Sequence, residues 1–74
     1  MAKLPQLNGA EVVRRLKRLG MEEDHTRGSH LYMRNPVTGN IAAVPQHGST
    51  TVKKGTLGAI LKQLDVSTDD FAQA

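Results

Sequence analysis

The chain has 74 residues, a formal net charge of +3, and a single tyrosine and phenylalanine as its aromatic side chains. So short a chain makes at most one domain, residues 1–74, with a small core of Leu, Ile, Val, Met and Ala and no space for a large internal cofactor. There is no cysteine, which excludes disulfides, thiolate catalysis and cysteine-ligated zinc. No apolar run approaches the roughly 18 residues of a membrane span, so a cytoplasmic protein without membrane contact is expected.

Residues 1–7 read as a short arm. Asn8-Gly9-Ala10-Glu11 then opens a helix, with Asn8 as cap and Glu11 placed to bond back to it. Val12, Val13, Leu16 and Leu19 form its apolar stripe, while Arg14, Arg15, Lys17 and Arg18 fall mainly off it. Gly20 supplies the left-handed residue that ends a helix. The polar segment 21–27 suits an edge strand, and Gly28 breaks it. Ser29 to Arg34 reads as a second strand, with His30, Tyr32 and Arg34 on one side and Leu31 and Met33 on the other. Asn35 to Asn40 has turn chemistry, and Ile41 to Val44 is a third strand ended by Pro45.

After a polar loop from Gln46 to Thr51, a second helix is expected near Lys54-Gly55-Thr56. Leu57, Ile60, Leu61 and Leu64 make its apolar face. Ser67 to Asp70 opens a brief last turn that returns Phe71 to the core, so 65–74 is a tail or short helical turn beyond a core of about 8–64. The fold class is α+β: helix, three-stranded antiparallel sheet, helix. Layer packing places both helices on one face of the sheet and leaves the other open to a partner.

The charge is segregated, with cations at Arg14–Arg18 and Lys53-Lys54 and acids at Glu22–Asp24 and Asp69-Asp70. A basic small chain of this kind points to a polyanion, nucleic acid before membrane. Gly28-Ser29-His30 is the sharpest local feature. Glycine permits a tight turn close to a ligand, and a strand holds the imidazole more firmly than a loop. An imidazole exchanges protons near neutral pH. Attack of an RNA 2′-hydroxyl on its adjacent phosphorus needs that exchange and a cation on the phosphate, with neither a metal nor a covalent nucleophile. His47, in Pro45-Gln46-His47-Gly48, is a second proton carrier or a phosphate contact, or an ordinary exposed histidine. His25 sits in the polar edge segment with little claim to a role. Lys53 and Lys54 oppose the dipole of the helix they precede, which a bound phosphate explains and helix stability does not. The three histidines lack the spacing and partner ligands of a zinc site, so no metal and no cofactor is expected.

From about Asn8 to Leu64 the chain resembles the HicA family of bacterial toxins, also called YcfA-like mRNA interferases. The resemblance rests on Leu19-Gly20, Gly28-Ser29-His30, Val44-Pro45-Gln46-His47, Lys53-Lys54-Gly55-Thr56-Leu57 and Ile60-Leu61-Lys62-Gln63, in that order. It implies a fold similar to the double-stranded-RNA-binding domain, a metal-independent endoribonuclease that cuts mRNA, and a HicB-type antitoxin as partner. The family's catalytic histidine falls on His30, and its lysines and glycine before the second helix fall on Lys53, Lys54 and Gly55. Gly28, Ser29, His47, Lys53 and Lys54 are the expected substrate contacts. Met21 stands where members usually carry an aromatic, His25 where Arg is frequent, and Leu31 where a second polar residue is common. The alternatives are a non-catalytic RNA-binding module of the same fold and a protein-interaction domain whose basic first helix docks an acidic partner.

Overall fold

The computed structural model describes residues 6–46, 48 and 50–74. The order is α1 (Gly9–Arg18), β1 (Glu22–Arg27), β2 (His30–Arg34), β3 (Ile41–Pro45), α2 (Lys54–Gln63) and α3 (Thr68–Gln73). The strands form an antiparallel sheet in the order β1-β2-β3. The α+β arrangement expected from the sequence is therefore the one observed, with the last turn extended into the short helix α3.

Helix α1 starts where Asn8 Oδ1 accepts from the Glu11 N–H at 2.9 Å. The reciprocal bond expected of Glu11 gives way to an i,i+3 ion pair with Arg14. At the other end Met21 N–H donates to Leu16 O and Gly20 N–H to Lys17 O, both at 3.0 Å, with Gly20 at φ +94. That pair of bonds is a Schellman cap. Helix α2 ends the same way, through Val66 N–H to Leu61 O at 2.9 Å and Asp65 N–H to Lys62 O at 3.2 Å. Here the left-handed position is taken by Asp65, at φ +57.

Val12, Val13 and Leu16 of α1 and Leu57, Ile60, Leu61 and Leu64 of the α2 region are buried with Met33, Ala42 and Val44 of the sheet. Strand alternation puts those three sheet residues on one face, so both helices cover that face. Phe71 of α3, fully buried, closes the same cluster. Among the described residues, no helix packs against the opposite face of the sheet.

Strand β1 is exposed along its whole length and contains an irregularity that alternation in the sequence conceals. Its register with β2 runs Glu22↔Arg34 and Glu23↔Met33, then shifts so that His25 pairs Tyr32, Thr26 pairs Leu31 and Arg27 pairs His30. Asp24 is the extra residue of a β-bulge. The shift brings His25 and Arg27 into phase with Glu22, onto the face turned away from the helices.

Candidate functional site

His30 is the first residue of β2, directly after a two-residue turn of Gly28 and Ser29 that joins it to Arg27. Gly28 has φ +58 while Ser29 is not in the positive region, the sign pattern of a II′ hairpin turn with glycine first. Gly28 therefore has a conformational reason to be glycine. Ser29 is tied in from the other side, its carbonyl accepting from the Gln46 N–H at 2.6 Å. The strand on which His30 sits is held by both neighbours, so the imidazole stands on a braced element.

The open face of the sheet is built of three rows across the strands. Arg27, His30 and Pro45 form the first, His25, Tyr32 and Ala43 the second, and Glu22, Arg34 and Ile41 the third. His30 is half-buried and belongs to this face; Met33, on the other, is in the core. Arg34 Nη2 meets Glu22 Oε1 at 2.7 Å, and its Nε lies 3.7 Å from Asp24 Oδ1. Arg27 has no acidic partner among the described residues, so the positive end of the face is the one that carries His30.

Pro45 links that end to the second helix. It is the cross-strand partner of His30, and it also borders a cleft of about 190 Å³ with Thr50, Thr51, Val52, Lys53 and Thr56. The cleft is well below the size of a pocket for a drug-sized ligand; it suits a single small group. Lys53 is the N-cap residue of α2 and makes no side-chain capping bond, and the first turn holds no acid. Lys53 and Lys54 are both exposed. The free amides of that turn and the two ammonium groups favour an anion there.

The loop between β3 and α2 is anchored at two places. Val52 is buried and its N–H donates to Leu7 O at 2.8 Å, and Thr51 bridges to Asn8. At the loop's start, Gly9 of α1 is pressed against Pro45 and Gln46. A Cβ on Gly9 would lie 2.0 Å from the Pro45 carbonyl oxygen and 2.6 Å from Gln46 Nε2. The site is thus assembled from four segments: the β1–β2 turn, the end of β3, the start of α2, and the start of α1 behind them.

Gly28, Ser29 and His30 are consecutive at the β1–β2 turn and the start of β2, and Lys53 lines a cleft with Pro45, the cross-strand partner of His30. His47 lies outside the described residues. Reading the sequence alone missed Arg27, Thr50 and Thr51, and gave Pro45 and Thr56 only as parts of motifs, without a site role. Arg27 was the most accessible of these, because a glycine-first two-residue turn pairs the residues on either side of it. Among the described residues, no group of three or more His, Asp or Glu side chains is placed to hold a metal ion. No described helix is long and apolar enough to cross a membrane.

Comparison with known families fixes the class: a toxin of a bacterial toxin–antitoxin pair. The matching family model, HicA toxin of bacterial toxin-antitoxin, covers residues 9–66, and the chain belongs to that family. Membership implies an antitoxin as partner. No curated protein matches the chain significantly.

Proposed function

We propose that the chain is a metal-independent endoribonuclease that cleaves mRNA, with His30 as its proton-transferring group. The observation that carries this reading is the position of His30. It stands on a braced strand, open to one side, in a row with Arg27 and with Pro45, which borders the Lys53 cleft. A phosphodiester drawn to the cations at this end presents its 2′-hydroxyl and leaving oxygen to the imidazole. The 2′-oxygen attacks phosphorus as its proton leaves, the bond from phosphorus to the 5′-oxygen breaks, and that oxygen takes up a proton. His30 serves one or both of these transfers. Gly28 and Ser29 set the imidazole at the turn, Lys53 and Lys54 hold phosphate, and His47 assists as proton carrier or phosphate contact. No metal or cofactor is required. The toxin works in the cytoplasm, where mRNA is, and a HicB-type antitoxin silences it.

The test compares purified wild-type protein with His30→Ala on an mRNA transcript in the presence of EDTA. Cleavage by the wild type should persist, and His30→Ala should lose about a hundredfold or more of the rate, the usual worth of a positioned acid or base. Cleavage at the wild-type rate by His30→Ala would remove this residue from the mechanism. If neither protein cleaves and both bind, the chain is a non-catalytic RNA-binding module. Replacing Lys53 and Lys54 together by Ala should flatten the salt dependence of binding by about 1.4 in log–log slope, the loss of two single-strand phosphate contacts.

A further inference from the structure

Of the chain's aromatic pair, Phe71 is fully buried in the core, and Tyr32 is on the sheet face that no helix covers among the described residues. The tyrosine is therefore not a core residue. Its ring lies parallel to that of His25, with centroids 4.4 Å apart and planes within 7°. His25 reaches it only because the bulge at Asp24 shifts β1 by one residue. On its other side Tyr32, itself half-buried, has Ala43 as cross-strand neighbour, a side chain of one methyl group. Ile41 and Pro45 stand two residues either way along β3 on the same face, so the strand beside Tyr32 presents only apolar side chains there.

We propose that this face is a stacking platform for single-stranded RNA, on which one nucleobase lies over Ala43 against the Tyr32 ring, adjoining His30. The inference rests on the ribonuclease reading above and names the residues that would position the strand. Alternate residues of a strand stand about 6–7 Å apart, so a base against Tyr32 keeps its own or the next phosphate within reach of His30 and Arg27. Electrostatics sets the direction. Arg34, at the far row, is neutralised by Glu22 and Asp24, whereas Arg27 has no acidic partner among the described residues. The backbone is thus drawn toward the His30 end while the base takes the aromatic slot. Partly exposed aromatics beside cations suit unpaired bases, whose faces stack on such rings regardless of sequence. Tyr32 and His25 are positioning residues in this scheme.

With one tyrosine and no tryptophan in the chain, intrinsic fluorescence reports on Tyr32 directly. The His30→Ala protein would be titrated with a short dye-labelled single-stranded RNA, following dye anisotropy for binding and tyrosine emission for stacking. Emission should fall in step with anisotropy. In the same background Tyr32→Leu should lose about tenfold in affinity while Tyr32→Phe, which keeps the ring, stays within about twofold. Binding without any change in tyrosine emission, or full affinity in a folded Tyr32→Leu protein, would overturn the platform and leave the ribonuclease reading standing. Should Tyr32→Leu fail to fold, the emission measurement decides alone. Absence of both RNA binding and wild-type cleavage would sink the two proposals together.

Discussion

Asn35 Nδ2 donates to the Leu64 carbonyl at 2.7 Å, joining the turn between β2 and β3 to the cap of α2. The side chain is buried, and its Oδ1 accepts from the Val37 N–H at 2.9 Å and the Thr38 N–H at 3.4 Å. One amide therefore shapes the turn with its oxygen and holds the helix end with its nitrogen. Replacing it by Ala strands a buried carbonyl, and Asn35→Ala should cost about 1–3 kcal/mol. Asn35→Asp keeps the acceptor but sets a carboxylate against the Leu64 oxygen, so it should cost at least as much at neutral pH. Urea unfolding measures both; an Asp variant as stable as wild type would refute the role given to the nitrogen.

Gly9 is an unfavourable residue for a helix, and Ala would gain about 1 kcal/mol there on propensity alone. The expected sign is the opposite. The Pro45 carbonyl, 2.0 Å from where the Cβ would be, belongs to a strand end and has little freedom to withdraw. Gly9→Ala should destabilise by about 1–3 kcal/mol as α1 is forced off the sheet. Gain of stability in a thermal melt would show that the contact yields.

The two Schellman caps make a paired prediction. Asp65 adopts φ +57 and Gly20 φ +94, and an L side chain is disfavoured in that region by roughly 1–2 kcal/mol, less for Asp. Asp65→Gly should therefore raise stability by up to about 1 kcal/mol, and Gly20→Ala should lower it by about as much or more. Melting temperatures of the two variants moving in the same direction would contradict the cap assignment.

The basic residues of α1 look alike in the sequence and differ in place. Arg15 Nη1 donates to the carbonyls of Phe71 at 3.3 Å and Ala72 at 3.1 Å, and its guanidinium lies 5.7 Å from the Phe71 ring centroid. Arg14 and Lys17 make exposed ion pairs with Glu11 and Glu23. Arg15→Ala should cost about 1–2 kcal/mol through lost hydrogen bonds and ring contact. Arg14→Ala and Lys17→Ala should each change stability by less than about 1 kcal/mol, as exposed pairs do. Equal effects of the three in chemical denaturation would dissolve the distinction.

The elements were legible where apolar spacing and caps agreed. The stripe Val12, Val13, Leu16 and the Asn8 cap fix α1, Leu57, Ile60 and Leu61 fix α2, and alternation along β2 places Met33 inward and His30 outward. The bulge in β1 was not legible, because it arises from a conflict between two distant demands. The two-residue turn at Gly28-Ser29 pairs Arg27 with His30, while the ion pair at the far end aligns Glu22 with Arg34. One residue is left over, and only the folded sheet shows that it is Asp24. The anchoring roles of Asn35 and Arg15 and the tight seat of Gly9 are contacts between parts distant in the chain, for which local pattern holds no signal. His30 and the lysines stood out in the sequence because their residue types were unusual for their places; Pro45, cross-strand partner of His30 and neighbour of Lys53 at the cleft, read as a strand end and part of a motif, with no site role.

Phe71 and the carbonyls that Arg15 grips lie beyond residue 66, where the family match ends. A stop codon after Val66 would leave each matched residue intact and still remove Phe71 from the core cluster that holds Leu16 and Leu64. An inactive product of that length would say nothing about chemistry. The final eight residues should travel with the rest in any shortened or fused version of this toxin.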